Sequence, residues 1–338
     1  MKSNFRVAII HSPQGDYLQE PDIEQNVLQP EATVVVHRAD QAKELIGRIE
    51  DVEAIISWHK TPLDADILGR LQCCRCIVRA AVGFDNIDLA FAAKKGIPVC
   101  NVPDYGTEEV ADHTLGLILA LVRKLLIVDK YVRNQGWDWN AVGSVPRLRG
   151  MTLGIIGFGP IGSAVARRAH PFGLKVAFYD PYVPRGTAKA HGVTRCETLN
   201  ELIDAAQIIT IHTALTSETR HLIGREELKR MTPETILINT ARGQVIDQEA
   251  LIESILSGSI GQVGLDVLST EPNVPDELRT SEKVILTAHS AFYADAAEAE
   301  LRFKAATFVR IFLFGQEVPT IVNGVSSKND FHQQITTI

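Results

Sequence analysis

Short apolar runs alternate with amphipathic segments over roughly the first 100 residues of the chain. Val, Ile and Ala predominate in the runs, whereas the apolar residues of the segments recur every three or four positions, as on one face of a helix. The runs predict five strands, which are Val7–Ile10, Thr33–Val36, Ala54–Ser57, Ile77–Ala80 and Ile97–Cys100. The segments predict helices, which include Gln41–Glu50, Asp64–Gln72 and Asp88–Lys95. Strands that alternate with helices in this way are typical of a parallel sheet with both faces covered.

A second alternation begins at Met151. Its apolar runs predict six strands, which are Thr152–Ile156, Lys175–Tyr179, Ile208–His212, Thr235–Asn239, Gly261–Asp266 and Val284–Thr287. A long helical pattern from about Glu108 to Gln135 precedes this part, and another, Ala294–Phe314, follows it. The predicted fold class is therefore α/β, with two doubly wound parallel sheets. The polar tail after Gly324 is expected to be loose.

The overall charge and hydropathy narrow the classes of partner. The chain has 34 Lys and Arg against 41 Asp and Glu, a net charge of −7, which argues against a nucleic acid or an anionic membrane as the main partner. The most apolar stretch, Leu115–Val122, is far shorter than a membrane span, and the N-terminus lacks the long apolar region of a signal peptide. We therefore expect a cytoplasmic protein with no membrane partner.

The cysteines do not have the spacing of a metal site. Cys73, Cys74 and Cys76 form a cluster, whereas Cys100 and Cys196 lie far from it in the sequence. Zinc ligands usually come in pairs at wider, repeated spacings. We expect reduced, structural cysteines and no bound metal.

A glycine-rich turn, GFGPIG, follows the first strand of the second part. Gly157 permits the tight turn off the strand, Gly159 lets the backbone approach a pyrophosphate, and Gly162 lets the next helix pack close to the sheet. Asp180 follows at the end of the next strand, where a carboxylate accepts hydrogen bonds from the ribose hydroxyls and repels a 2′-phosphate. This context predicts a site for NAD rather than NADP, although Arg185 lies nearby and could partly accommodate a phosphate.

Three further segments follow strands of the same part and therefore lie at the edge of the sheet where ligands bind. They are Asn239–Gly243, Asp266–Pro272 and Thr287–Ala291. Reduction of a 2-keto acid needs a cation that grips the carboxylate and polarises the carbonyl, for which Arg242 is the candidate. It also needs a proton donor, for which His289 is suited, and Glu271 is the candidate carboxylate that orients the imidazole and raises its pKa. Asp266 is expected near the nicotinamide amide.

With these residues, the chain resembles the D-isomer-specific 2-hydroxyacid dehydrogenase family. The resemblance runs from about residue 5 to residue 323, and its spacings look like those of the phosphoglycerate dehydrogenase branch. Its motifs are VGFDNID at Val82–Asp88, GFGPIG with Asp180, NTARG at Asn239–Gly243, DVLSTEP at Asp266–Pro272, and His289. It implies a flavodoxin-like substrate domain, residues 1–105 plus 297–338, and a Rossmann NAD-binding domain, residues 106–296, with a cleft between them.

The resemblance also implies roles for individual residues. Arg242, Glu271 and His289 would form the catalytic triad, and the backbone N–H groups of Val82 and Gly83 would bind the substrate carboxylate. The residues implied to line NAD are Gly157, Gly159, Pro160, Ile161, Gly162, Asp180, Thr213, Thr240, Ala241, Arg242, Asp266, His289 and Ser290. The helix near residues 108–130 would build a two-fold homodimer, and its apolar, weakly charged face is consistent with such an interface.

The residues that would select the substrate are less clearly marked. Many members of the family carry a glycine-containing stretch where this chain has Phe292 and Tyr293. In this the chain looks like the branch of the C-terminal binding proteins, which has an aromatic residue at the corresponding place. The two residues either shape the substrate pocket or pack under the loop. Arg79 matches an arginine of phosphoglycerate-type members. It would favour a second anionic group, as in 3-phosphohydroxypyruvate or oxaloacetate, but it could also be a surface or interdomain charge. His59 is a further substrate-binding candidate.

The sequence therefore predicts an NAD-dependent D-2-hydroxyacid dehydrogenase or 2-keto acid reductase. The alternative from another class is a dinucleotide-sensing interaction protein of the C-terminal binding type, which can keep the same triad. Phosphite oxidation on the same fold is a further alternative. Formate oxidation is not expected, because formate enzymes of this family have an amide where Glu271 stands.

Overall fold

The computed structural model describes residues 5–13, 20–318 and 320–326. Most of the polar tail for which the sequence predicts a loose conformation lies outside these residues. The chain divides into two compact units. Unit 1 comprises Met1–Gly106 and Ala294–Ile338, and unit 2 comprises Thr107–Tyr293. The sequence predicts boundaries at 105/106 and 296/297, so the boundaries of the structure differ from them by one and three residues.

Each unit is built on one parallel sheet. The strands of unit 1 are Phe5–His11 (β1), Ala32–Arg38 (β2), Ala54–Ser57 (β3), Cys76–Arg79 (β4) and Val99–Asn101 (β5). Those of unit 2 are Thr152–Ile156 (β6), Lys175–Tyr179 (β7), Thr194–Arg195 (β8), Ile208–Ile211 (β9), Ile236–Asn239 (β10), Gln262–Leu265 (β11) and Val284–Leu286 (β12). The order is β2-β1-β3-β4-β5 in unit 1 and β12-β11-β10-β9-β6-β7-β8 in unit 2. The predicted fold class is confirmed, with the flavodoxin-like order in unit 1 and a doubly wound order in unit 2.

The α-helices lie between the strands and after the last one. They are Asp22–Leu28 (α1), Ala65–Arg70 (α2), Leu89–Lys94 (α3), Thr107–Val122 (α4), Leu125–Arg133 (α5), Pro160–Ala169 (α6), Thr187–His191 (α7), Leu199–Ala205 (α8), Arg225–Arg230 (α9), Gln248–Ser257 (α10), Asp276–Thr280 (α11) and Asp295–Leu313 (α12). Aspartates begin several of them: the Asp64 carboxylate accepts a hydrogen bond from the N–H of Ile67 (3.1 Å), and that of Asp88 accepts one from Phe91 (2.9 Å). Such caps satisfy N–H groups that have no partner within the helix. Within the described ranges, no helix is long and apolar enough to cross a membrane.

The sheet of unit 2 is covered on both faces. Neighbouring residues of β9 point to opposite sides, so that Ile208 packs in one apolar cluster and Ile209 in the other. Ile118 of α4 belongs to the first cluster, and Leu251 of α10 belongs to the second. Because both faces are buried, the loops at the ends of the strands are the parts of the sheet that can meet a ligand.

The long helix predicted between residues 108 and 135 is two helices. Lys124, between α4 and α5, has a left-handed backbone with φ of 52°. Its ammonium group donates a hydrogen bond to the carbonyl of Val142 (2.7 Å), which ties this break to a 3-10 turn at Trp139–Val142. The break has no glycine or proline to mark it, and the apolar spacing continues across it, so the pattern alone predicts one helix.

Two other elements differ from their predictions. The helix predicted at Gln41–Glu50 is wrong, because the chain forms only a 3-10 turn at Ala42–Leu45 and then takes a positive φ of 77° at Gly47. A left-handed glycine ends a helix rather than continuing it. Strand β8 was not predicted, since two residues are too few to show a period.

Candidate active site

The glycine turn between β6 and α6 has the geometry of a phosphate-binding loop. Gly157 has a φ of 88°, and a Cβ atom on it would lie 2.7 Å from the carbonyl oxygen of His212. A Cβ atom on Gly162 would lie 2.2 Å from the carbonyl oxygen of Gly157. At Gly159, in contrast, a Cβ atom would meet nothing within 4 Å. Two glycines are thus required by close packing, whereas Gly159 keeps open the space above the turn.

The start of α6 presents donors to this open space. Pro160 is the first helical residue, and the first hydrogen bond of the helix runs from the N–H of Ser163 to the carbonyl of Gly159 (2.9 Å). The N–H groups of Ile161 and Gly162 precede that bond and have no carbonyl partner within the helix. Together with the helix dipole, they suit the pyrophosphate of a dinucleotide.

The Asp180 carboxylate lies directly beside the glycine turn. Its Oδ2 accepts a hydrogen bond from the N–H of Phe158 (2.8 Å), and its Oδ1 accepts one from the N–H of Tyr182 (2.9 Å). Each oxygen keeps lone pairs that can accept from ribose hydroxyls. Arg185 pairs with Glu197, whose Oε1 lies 3.1 Å from its Nη1, so its charge is balanced within the chain.

A further polar atom at this turn fits the cofactor. The Thr213 hydroxyl oxygen is buried and has no hydrogen-bond partner among the described residues. Its methyl group would lie 2.9 Å from a Cβ atom on Gly157, which places Thr213 against the turn. A buried hydroxyl without a partner is costly, and a bound dinucleotide would supply one. The residues present therefore fit NAD.

The loop after β10 carries Arg242. Asn239, which is buried, accepts a hydrogen bond from the N–H of Ala241 (3.0 Å) and donates one to the carbonyl of Arg242 (2.9 Å). The Arg242 guanidinium donates to the carbonyl of Ala241 (2.8 Å). A Cβ atom on Gly243 would lie 2.0 Å from the carbonyl carbon of Leu268, so the loops after β10 and β11 touch there. The Arg242 side chain is thus held on a rigid loop beside the loop of Glu271.

Glu271 and His289 form the central contact of the site. His289 Nδ1 lies 2.9 Å from Glu271 Oε2, and Glu271 Oε1 accepts the N–H of Leu268 (2.9 Å). Burial opposes ionisation of Glu271, but His289, the N–H of Leu268 and the charge of Arg242 together hold the pKa of this carboxyl below its ordinary 4.5. The carboxylate therefore stays charged at neutral pH and fixes the imidazole through Nδ1, which leaves Nε2 as the nitrogen to exchange a proton with a substrate.

Asp266 anchors the loop that carries His289. It is 2% exposed, its backbone carbonyl accepts the N–H of His289 (2.8 Å), and its carboxylate accepts the N–H groups of Ser290 (2.9 Å) and Ala291 (3.0 Å). The Thr287 hydroxyl also donates to Asp266 Oδ1 (2.5 Å). The sequence predicts Asp266 near the nicotinamide amide, and the structure gives its carboxylate a supporting task within the protein.

Two other residues of the predicted site, Thr240 and Phe292, are buried close to the same edge of the sheet. Thr240 is nearly buried and shares a hydrogen bond with Thr114 of α4 (3.1 Å). Phe292 is 8% exposed, and its ring meets the His289 imidazole edge-on, with centroids 6.5 Å apart. Phe292 therefore packs against the His289 ring, whereas Tyr293 is exposed.

Apart from Phe292, the predicted substrate-binding residues lie in unit 1, where His59 follows β3, Arg79 ends β4, and Val82 and Gly83 follow β4. No backbone-to-backbone hydrogen bond of the described chain uses the N–H of Val82 or Gly83. The carbonyl of Val82 accepts from the Asn101 side chain (2.7 Å). His59 follows β3 beside the buried Trp58, with ring centroids 6.3 Å apart.

Arg79 is buried rather than exposed. Its Nε donates to the Asn86 side chain (2.7 Å), and its Nη1 donates to the carbonyl of Ala80 (3.1 Å). Asn86 in turn donates to the carbonyl of Thr61 (2.8 Å). These bonds tie together the loops that follow β3 and β4, so two of the guanidinium nitrogens serve the scaffold.

Sequence reasoning missed one residue that contacts the hydrogen bonds around Asp266. The Nε2 atom of His113, on α4, lies 3.0 Å from the Thr287 hydroxyl oxygen. The two residues are 174 positions apart, and His113 lies in an ordinary helical pattern. No local sequence signal could have paired them.

The comparisons with known proteins agree with this geometry. A family model described as "D-isomer specific 2-hydroxyacid dehydrogenase, NAD binding domain" matches residues 115–291. The glyoxylate reductase of Korarchaeum cryptofilum is 37% identical over 285 residues, which are 83% of this chain and 86% of that protein. The D-3-phosphoglycerate dehydrogenase of Methanocaldococcus jannaschii is 35% identical over 297 residues, which are 88% of this chain and 56% of that protein.

A solved structure agrees over nearly the whole chain. D-lactate dehydrogenase from Aquifex aeolicus, complexed with NAD and lactic acid, has a TM-score of 0.85 at 31% identity and covers 95% of this chain and 100% of its own. The chain therefore belongs to the D-isomer-specific 2-hydroxyacid dehydrogenase family. The predictions of the family, of an NAD-binding domain and of an NAD-dependent oxidoreductase are confirmed.

Proposed function

We propose that the protein interconverts a small 2-keto acid and its D-2-hydroxyacid with NADH and NAD. The observation that carries this proposal is the pairing of His289 with Glu271 beside Arg242, on the same edge of the sheet as the glycine turn. A proton donor, its orienting carboxylate and a fixed cation are the groups that keto-acid reduction requires.

Each residue has one task in the proposed reaction. When bound, NADH supplies the hydride that reduces the keto carbon. Arg242 polarises the keto oxygen through its planar guanidinium. His289 protonates that oxygen from Nε2, while Glu271 balances the positive charge of the imidazolium through Nδ1. In the direction of oxidation, the same nitrogen takes the proton back.

We propose that the backbone N–H groups of Val82 and Gly83 bind the carboxylate of the substrate, since no backbone carbonyl of the described chain accepts from them. The preference for a second anionic group depended on Arg79, whose Nε and Nη1 are engaged with Asn86 and with the carbonyl of Ala80. That engagement favours a small keto acid. The likeness to glyoxylate reductases points in the same direction.

We propose NAD rather than NADP as the cofactor. Both oxygens of Asp180 are fixed by backbone N–H groups beside the glycine turn, so the carboxylate cannot easily turn away from a 2′-phosphate. Arg185, which the sequence offers as a phosphate partner, is paired with Glu197.

We propose that a second copy of this chain covers the surface of α5 and the loop that follows it. The apolar residues of α4, including Leu115 and Ile118, pack inside unit 2, so they do not supply the contact. The exposed apolar residues come later, namely Leu125, Leu126, Val132, Trp137 and Trp139. A cluster of exposed leucines and tryptophans is typical of an interface. Sedimentation of Leu126→Asp should show monomers where the unchanged protein sediments as a dimer.

The test of the function is a substrate panel. The purified protein is mixed with NADH and, in turn, with glyoxylate, pyruvate, oxaloacetate and 3-phosphohydroxypyruvate, and the loss of NADH absorbance is followed. Saturable reduction of the smaller acids, with a D-configured product from pyruvate, is expected. Faster reduction of oxaloacetate and 3-phosphohydroxypyruvate, the two acids that carry a second anionic group, would instead assign Arg79 to the substrate.

The same panel includes the alternatives. Phosphite is supplied with NAD, and reduction of NAD would indicate the phosphite chemistry. If no acid is reduced although NADH binds, the enzyme proposal fails and a dinucleotide-sensing interaction protein becomes the better description.

A further inference from the structure

A chain of hydrogen bonds connects α4 with the loop of the proton donor. His113 Nε2 lies 3.0 Å from the Thr287 hydroxyl oxygen, and that hydroxyl donates to Asp266 Oδ1 at 2.5 Å. Asp266 then holds the N–H groups of Ser290 and Ala291, on the loop of His289. None of these contacts involves Glu271, so the loop of His289 has two separate supports.

The direction of the hydrogen bonds determines which ring nitrogen of His113 carries a proton. A carboxylate oxygen only accepts, so the single proton of the Thr287 hydroxyl is used towards Asp266. The hydroxyl oxygen can then only accept from His113, whose Nε2 must carry a proton. His113 thus aligns the hydroxyl, and it also brings its Nε2 to 3.8 Å from Asp266 Oδ1.

The loop of His289 needs such support because its backbone has an unfavourable conformation at this residue. His289 has a φ of 52°, in the left-handed region that a residue with a Cβ atom adopts at a cost. The hydrogen bonds from the N–H groups of Ser290 and Ala291 to the Asp266 carboxylate hold the two residues directly after His289. The hydrogen bond from the N–H of His289 to the Asp266 carbonyl holds His289 itself. A loop held in this conformation keeps the imidazole where Glu271 can orient it.

We infer that His113 is a positioning residue for the proton donor: through Thr287 and Asp266 it fixes the backbone of residues 289–291. This inference rests on the proposed function, in which His289 protonates the keto oxygen.

The test compares two polar replacements of different reach. In His113→Gln the side-chain amide takes the place of Nε2 and can still donate to Thr287, whereas in His113→Asn it stops short. Backbone hydrogen exchange of Ser290 and Ala291 is measured in the protein without cofactor, and kcat and KM are measured with NADH and the best keto acid of the panel. A parallel pair, Thr287→Ser and Thr287→Val, keeps and removes the hydroxyl.

For His113→Asn and Thr287→Val we expect exchange of the two amides to be about tenfold faster and kcat to be about tenfold lower, as for one lost hydrogen bond. KM for the keto acid should change little, and His113→Gln and Thr287→Ser should stay near the unchanged protein. Equal behaviour of His113→Gln and His113→Asn would overturn the inference, as would unchanged exchange in His113→Asn.

The two proposals can fail separately. If the unchanged protein reduces no keto acid, the proposed function is wrong, and the exchange data still decide whether His113 holds the loop. If it does reduce one but the variants do not differ, only the role of His113 is wrong.

Discussion

His289 Nδ1 lies 2.9 Å from Glu271 Oε2, although the two residues follow different strands, β12 and β11. The contact brings a titratable ring and a carboxylate with a lowered pKa to the edge of the sheet that carries the glycine turn. The proposed proton donor requires this place, because the substrate must meet the ring and the nicotinamide together.

Replacement of His289 by Ala should therefore lower the rate of keto-acid reduction and leave NADH binding nearly unchanged. We expect kcat for keto-acid reduction to fall by about 10²–10⁴-fold, the usual contribution of a positioned general acid, while the Kd for NADH stays within a factor of about two, because no bond of the glycine turn is lost. Fluorescence titration and steady-state kinetics measure the two quantities. The exposed His170 gives the control, His170→Ala, which should leave both unchanged. Near-normal turnover of His289→Ala would remove His289 from the mechanism.

Replacement of Arg242 by Lys should be severe even though the charge is kept. The guanidinium already donates to the carbonyl of Ala241 (2.8 Å), and its planar shape lets it donate elsewhere from a fixed position, which an ammonium on a flexible stem cannot do. We expect kcat/KM for the keto acid to fall by about 10²–10³-fold. Arg225→Lys, at an exposed ion pair with Glu253, is the matched control. A loss of less than about tenfold would mean that only charge is needed.

Replacements of two glycines of the turn should separate an effect on NADH binding from an effect on the stability of the fold. In Gly159→Ala the new methyl meets nothing within 4 Å, so the free protein should keep its melting temperature, but the methyl occupies the space for the pyrophosphate and should weaken NADH binding by at least about tenfold. In Gly162→Ala the methyl would clash with the carbonyl of Gly157 at 2.2 Å. That variant should lose about 1–3 kcal/mol of stability without any cofactor. Thermal melts and NADH titrations of both variants test this, and tight NADH binding by Gly159→Ala would contradict the placement of the pyrophosphate.

Removal of the Asp180 charge should relax the choice of cofactor. In Asp180→Ser the repulsion of a 2′-phosphate disappears, and so do acceptors for the ribose hydroxyls. We expect the ratio of kcat/KM for NADH to that for NADPH to fall by at least about tenfold. Glu197→Gln, which releases Arg185 from its partner, should add to the use of NADPH only when Asp180 is also replaced. An unchanged ratio in Asp180→Ser would show that selectivity arises elsewhere.

The sequence predicts most of the strands, and it marks the candidate catalytic residues, because both signals are local. GFGPIG follows a strand and opens a helix, and each catalytic residue follows a strand, so topology alone brings them to one edge. The break at Lys124 was not predictable in the same way, since it depends on a contact with Val142. For Asp266, the sequence predicts a place near the nicotinamide amide but does not reveal that its carboxylate holds the backbone of the neighbouring loop.

The last prediction concerns pH and stability. His212 follows β9, and its Nε2 contacts the Thr210 hydroxyl oxygen at 2.9 Å. Burial disfavours the imidazolium and lowers the pKa of His212 from its ordinary 6.5 to about 3. Between these two values the unfolded chain binds a proton that the folded chain does not, so the free energy of unfolding decreases as the pH falls from 6.5 towards 3.

The size of this effect on the free energy of unfolding follows from the pH range between the two pKa values. A fall from pH 6.5 to 5.0 should cost about 2 kcal/mol through His212 alone. In His212→Gln the titrating group is absent while an amide remains near Thr210. Urea unfolding of both proteins at pH 7.5 and pH 5.0 measures the difference, and the contribution of His37, whose pKa burial also lowers, is the same in both and cancels. We expect the unchanged protein to lose about 2 kcal/mol more than His212→Gln on acidification, and equal losses would show that His212 accepts a proton in the folded state.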